Sequence, residues 1–245
     1  MSVAETRFAA LLDHAHNDPN IVGLLLVGSR GLGAHVTRDS DYDAYVILSD
    51  GRLLDEYAEL FPSEHGDPVE YILVSLESFR AHALPGTPSR WNAYTFAHIE
   101  PLIDKLDGEI GRLTLAKTLP GPDDAREFFG GYVNLYYRSK KNLVAGRELE
   151  GRLDASESVG WLLDFLFAAH DRLRPFNKWL RWELRHHPLD EPWQHQVLPR
   201  IEAILSTGGI DEQRDMFLDA EALARKRGIE DVVDSWGPDV EFLRA

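Results

Sequence analysis

The chain has 245 residues, 44% of them hydrophobic and 27% charged. These are ordinary globular proportions, and they exclude a disordered tail, a collagen-like fibre and a mini-protein that needs staples. Lys plus Arg number 26 and Asp plus Glu 41, a net charge of −15. Such a surface repels phosphate backbones, so no nucleic-acid partner is expected, and it favours cations, from divalent metals to polyamine-like molecules. Cysteine is absent, which removes disulfides, thiolate metal sites and cysteine nucleophiles. No apolar run of the sequence approaches the ~20 residues of a membrane span. The N-terminus lacks a signal-peptide core, so the sequence predicts a cytoplasmic protein with no membrane partner.

The apolar period then changes along the chain. Phe8, Leu11, Leu12 and Ala15 recur at helical spacing and predict a helix over 2–17. The continuous apolar run 21–27, ending at Gly28, reads as a buried strand, and 42–48 and 69–74 read as two more. Helices are expected over 52–61 and 89–102, then a short strand or turn within 103–115 that contains Asp107-Gly108. Leu119-Pro120-Gly121-Pro122 punctuates the chain. Beyond it every segment carries the helical period: 123–149, 156–173, 175–185, 193–205 and 211–227. The expected fold class is α+β. A domain over 1–118 with a small mixed sheet flanked by helices is followed by an all-helical bundle over 119–245.

The chemistry is concentrated early. Val27-Gly28-Ser29-Arg30-Gly31-Leu32-Gly33 follows a strand, and Asp39-Ser40-Asp41-Tyr42-Asp43 opens the next. Residues two apart on a strand share a face, so Asp41 and Asp43 sit roughly 7 Å apart along the backbone, pointing the same way. Two such carboxylates repel each other and call for a cation between them. Mg²⁺, which binds oxygen and bridges to substrate phosphates, suits the position. Gly28 and Ser29 can offer backbone N–H groups and a hydroxyl to a phosphate. Glu70 alternates with Val69 and Tyr71 on the third strand, where it can complete a metal set or act as a base.

An Asp-x-Asp pair before a strand is by itself most simply a solvated turn. The conjunction carries more: strand, Gly-Ser turn, Ser-Asp-x-Asp opening a second strand, and an acidic residue on a third. This resembles the polymerase-β-type nucleotidyltransferase superfamily, and the helical second half makes it most similar to the aminoglycoside and lincosamide branch. The resemblance implies a Mg²⁺-dependent transfer of a nucleoside monophosphate, AMP from ATP, to a hydroxyl of a small cationic acceptor. Asp41, Asp43 and Glu70 would hold metal, and Gly28, Ser29 and Ser40 would face the nucleotide. A second class stays open: a non-catalytic nucleotide binder or antitoxin-like regulator of the same fold.

The same glycines, with Tyr136 and Tyr137 each four residues before a lysine, also mimic a short-chain dehydrogenase. A Rossmann unit needs a helix of roughly ten residues between the glycines and the next strand. Only Ala34 to Asp41 intervene, and that segment is polar.

Two lysines of the second half could meet a triphosphate. Lys140 falls within the apolar stripe of Phe129, Tyr132, Val133, Tyr136, Leu143 and Val144; it either snorkels to water or faces an anion. Lys178 follows Pro175 in an expected first helical turn, where free N–H groups and the dipole favour anions. Basic residues of the helical domain meet the nucleotide's phosphates in the family the chain resembles, which agrees with both. Glu157, Asp164 and Asp171 suit a cationic acceptor. His186-His187 at a helix end read as a solvated turn, and His170 and His195 lack ligand spacing.

Overall fold

A computed structural model describes residues 2–38, 40–63 and 66–245. It divides into two compact units, Met1–Leu119 and Pro120–Ala245. The protein is α+β, a small mixed sheet with helices followed by helices alone.

The first unit opens with α1 (Val3–Asn17), held at its start by a capping box between Ser2 and Glu5. Strand β1 (Ile21–Val27) leads into a short helix, α2 (Gly28–Leu32). After the loop come β2 (Tyr42–Leu48), α3 (Leu54–Leu60), β3 (Val69–Ser75) and α4 (Leu76–Ala81). A two-residue β4 (Ile103–Asp104) and α5 (Glu109–Lys117) complete it. The strand order is β3-β2-β1-β4. β1 is antiparallel to both of its neighbours, whereas β2 and β3 run parallel.

Strand alternation divides the sheet into two unlike faces. Ala44, Val46 and Leu48 of β2 pack with Leu24, and with Leu11 and Ala15 of α1, in an apolar core. The opposite face carries Asp43, Tyr45 and Ile47. There the Tyr45 ring meets Phe96 at 5.2 Å, and Phe96 meets Phe79 edge-on at 5.8 Å. Beneath these rings Lys117 is fully buried. Its ammonium donates to the carbonyls of Phe79 and His82 and lies 4.3 Å from the Phe79 ring centre. Burial pushes its pKa down to about 8.

Two sequence expectations fail in this unit. The helix expected over 89–102 is a 3₁₀ turn, Arg90–Phe96. Pro101 disfavours helical backbone at the residue before it, and His98 already sits in the left-handed region with φ 60°. The strand or turn expected over 103–115 is only the edge pair Ile103–Asp104, followed by helix α5.

The second unit comprises α6 (Asp124–Val144), α7 (Glu148–Ala169), α8 (Leu180–His186), α9 (Trp193–Thr207), α10 (Ile210–Lys226), α11 (Asp231–Asp234) and α12 (Asp239–Arg244). The helix expected to run unbroken over 123–149 ends at Val144, because Gly146 takes φ 73° and Arg147 N–H closes a turn onto the Asn142 carbonyl. The segment 175–185 likewise starts later, as a 3₁₀ turn Asn177–Trp179 ahead of α8. The core gathers Phe129 and Tyr136 of α6, Leu162, Phe165 and Leu166 of α7, and Phe217 of α10. Two buried carboxylates here are matched to guanidiniums. Buried Glu221 accepts from Arg225 at 2.8 Å and from Arg244 Nε at 3.0 Å, and Asp154 meets Arg138 at 3.0 Å. Arg244, then Arg225, hold the Glu221 carboxyl below its ordinary range despite burial. Among the described residues no helix is long and apolar enough to cross a membrane.

Candidate metal centre

The antiparallel register sets Val27, the last residue of β1, opposite Asp43. The parallel register sets Asp43 beside Glu70. Asp43 is therefore the middle of three adjacent strand positions, and Asp41 lies two residues before it on the same face. In consequence one carboxylate oxygen from each of Asp41, Asp43 and Glu70 lies within 4.8 Å of the others. Asp41 and Glu70 are exposed and Asp43 half-buried, so the set opens to solvent while resting on the sheet. Carboxylates gathered this closely are mutually repulsive unless a proton or a cation sits among them.

Gly28 is fitted to this arrangement. Its φ is 66°, in the left-handed region that side chains avoid, and a Cβ placed on it would lie 2.1 Å from Asp43 Oδ2. The backbone leaving β1 thus comes directly against the central carboxylate, which only glycine allows. Ser29 follows in the first turn of α2, half-buried, and its carbonyl accepts from Ala34 N–H at 3.0 Å. Ser40 sits at the other end of the loop. Its hydroxyl accepts from Thr37 N–H at 2.9 Å, closing a turn over 37–40. Asp39 lies outside the described residues.

One step inward along the same face is Tyr45, which sequence reasoning did not single out although the two-residue period places it behind Asp43. It is buried and accepts from Asn92 Nδ2 at 2.9 Å, and Asn92 also meets His82 Nε2 at 2.9 Å. Burial raises the Tyr45 pKa; the Asn92 bond opposes this, and the charges of Asp43 and Glu70 add to the rise. The tyrosine accordingly stays a neutral hydroxyl under the carboxylates.

The two lysines belong to the second unit. Lys140 of α6 is 4% exposed, with its ammonium 3.4 Å from the Leu243 carbonyl and 5.2 Å from the Phe242 ring centre. Burial, and then Arg214, lower its pKa. Lys178 is exposed in the 3₁₀ turn, its ammonium 4.9 Å from the Trp179 ring centre. Of the acidic residues read as suiting a cationic acceptor, Asp164 meets Arg174 at 3.2 Å and Asp171 meets Arg227 at 3.3 Å. Among these, internal pairing already offsets two charges.

No family model matches this chain, and no curated relative matches it. Among solved structures, a nucleotidyltransferase-like protein from Exiguobacterium sibiricum 255-15 is similar over 94% of this chain and 77% of that one. The TM-score is 0.46 and the sequence identity 12%.

Proposed function

We propose that this protein is a Mg²⁺-dependent nucleotidyltransferase that moves AMP from ATP to a hydroxyl of a small cationic acceptor of aminoglycoside type and releases pyrophosphate. The observation that carries the reading is the convergence of Asp41, Asp43 and Glu70 within 4.8 Å, with Asp43 and Glu70 paired across β2 and β3 and Asp41 just before β2. The donor set is all oxygen, as Mg²⁺ requires. The glycine cradle against Asp43 Oδ2 leaves that oxygen uncovered by any side chain from position 28. The residues present therefore fit the ion.

Asp41 and Asp43 would hold Mg²⁺, which when bound neutralises charge on the triphosphate and the reacting phosphorus. Everything else falls to the chain. Gly28 and Ser29 lie at the end of β1 beside Asp43, where backbone N–H groups and the hydroxyl can receive a phosphate. Glu70, exposed on the neighbouring strand, completes the carboxylate set and would take the proton of the acceptor hydroxyl. The acceptor oxygen bonds the α-phosphorus while the α–β bridging bond breaks; pyrophosphate leaves and the proton passes to the carboxylate. Such catalysis consists of positioning and electrostatic stabilisation of an in-line displacement. The net charge of −15 supports a cationic acceptor.

The test is incubation with ATP labelled at the α-phosphate, Mg²⁺ and a panel of aminoglycosides. Pyrophosphate release with a mass gain of one AMP on an acceptor is expected, and both should vanish in chelator. ATP bound equally well in chelator, with no pyrophosphate on any acceptor, would replace this reading with the non-catalytic nucleotide binder.

A further inference from the structure

We infer that Arg30 is the positioning residue of the carboxylate set: it fixes the entry of β2 and so the geometry of Asp41 and Asp43. The inference rests on the metal reading above, but its own evidence is separate. Arg30 lies in α2, on the turn that begins with Gly28 and Ser29. Its Nε donates to the Ser40 carbonyl at 2.9 Å. Its guanidinium lies over the Tyr42 ring, 4.1 Å from the centroid. Tyr42 in turn stacks on Phe8 of α1, with centroids 4.6 Å apart and planes at 23°. One side chain therefore holds the residue before Asp41 and the residue between Asp41 and Asp43.

The direction of this grip separates positioning from charge balance. By strand alternation Tyr42 shares the face of Ala44 and Val46, which packs against α1. Asp41 and Asp43 belong to the opposite face. Arg30 thus clamps the strand from behind the carboxylates and is not the cation set among them. The stack of Phe8, Tyr42 and Arg30 anchors the strand to α1, while the bond to Ser40 closes the loop that β1 and β2 share. Gly28, two residues before Arg30, contacts Asp43 from the other side. Together the two contacts fix the distance between the Gly-Ser turn and the Asp-x-Asp strand.

The chemistry also explains why the residue is arginine. A planar guanidinium can donate in its plane from Nε while its face rests on an aromatic ring; an ammonium is a point charge and cannot do both. Loss of groups that orient metal ligands commonly weakens metal affinity 10–100-fold.

The experiment is a Mn²⁺ titration of the free chain followed by electron paramagnetic resonance, for wild type, D43N, R30K, R30M, Y42L and the R30K/Y42L double variant, with thermal melts alongside. Wild type should bind, and R30K and R30M should both raise the Mn²⁺ Kd about tenfold or more. The double variant should be no weaker than the worse single one, because each change breaks the same clamp. R30K binding like wild type would show that charge alone matters and overturn the inference, as would additive effects of R30K and Y42L. Should R30M fail to fold, R30K decides. If wild type binds no Mn²⁺, or D43N binds as tightly as wild type, the metal reading falls and takes this inference with it.

Discussion

The two units treat crowded carboxylates in opposite ways. In the helical unit buried Glu221 is gripped by Arg225 and Arg244, and Asp154 by Arg138 and Asn142. Each of these two carboxylates has a guanidinium of the same unit as its partner, and the arrangement serves the fold. In the sheet unit three carboxylates are gathered by strand register against one another, with a glycine where a side chain would cover the central one. Stability does not ask for such a gathering, since like charges at that distance oppose folding. On the reading proposed above, the gathered carboxylates would receive a cation that comes and goes, whereas the arginines around Glu221 belong to the fold.

Asp43→Asn cuts deepest into this contrast. Loss of a central metal carboxylate should remove several kcal/mol of transition-state stabilisation, a fall in turnover of roughly a thousandfold or more. The metal-free protein should stay folded, since the substitution keeps the shape of the side chain and neutralises only one of the three gathered carboxylates. Steady-state kinetics and a melt in chelator read both, and turnover near wild type would mean that the cluster is not the catalytic centre.

Gly28→Ala comes next. The new methyl meets a backbone at φ 66° and a carboxylate oxygen 2.1 Å away. A strained left-handed residue costs about 1–3 kcal/mol. Because the collision is with Asp43 itself, turnover should fall roughly ten- to a hundredfold even in the fraction that stays folded. Activity per folded molecule, normalised by circular dichroism, checks this; unaltered specific activity would detach Gly28 from the site.

Glu221→Gln probes the structural side. Breaking a buried ion pair typically costs 3–5 kcal/mol. The side chains of Arg225 and Arg244 remain 41% and 36% exposed, so about 1–3 kcal/mol is expected after solvent screening. Since the folded carboxyl lies below 4.5, its stabilisation is complete above the unfolded value and disappears as pH falls through the folded one. Urea melts should therefore show the variant weaker than wild type at pH 7 and the difference shrinking below about pH 4. A difference that persists in acid would assign the loss to packing.

These contrasts also show what a sequence carries. Strands 21–27, 42–48 and 69–74 were legible because buried strands write continuous or alternating apolar runs, and β1 to β3 occupy them. Asp41 and Asp43 sharing a face follows from the period of two. The neighbouring position of Glu70 does not, since it depends on β2 and β3 pairing in parallel, a tertiary fact. Nor can sequence show that Gly28 meets Asp43 or that Arg30 reaches the Ser40 carbonyl. Asp107-Gly108 falls inside the short strand or turn expected over 103–115; Gly108, at φ 84°, is instead the cap that starts α5. Gly146 ended a helix that the residues around it would have continued. Lys140 is buried within the stripe that the helical period gives it, although Val144 of that stripe is 65% exposed, and the carbonyl its ammonium meets lies on Leu243, 103 residues away.

The smallest expected effect bears on whether the proposed chemistry enlists the helical unit at all. Lys178 is exposed, in the 3₁₀ turn before α8, with its ammonium 4.9 Å from the Trp179 ring centre. At an exposed site such a contact is worth about 0.5–1 kcal/mol. A lysine near a helix start is opposed by the dipole to a similar extent, about 0.3–1 kcal/mol. The two nearly cancel, so Lys178→Ala should leave the melting temperature almost unchanged. If the ammonium meets a triphosphate, ATP affinity in Mg²⁺ should nonetheless fall several-fold, and calorimetry on the one variant gives both numbers. A structural lysine would reverse the pattern, with stability falling and affinity steady. A change in neither would take Lys178 out of the nucleotide site and leave Lys140 as the candidate of the helical unit.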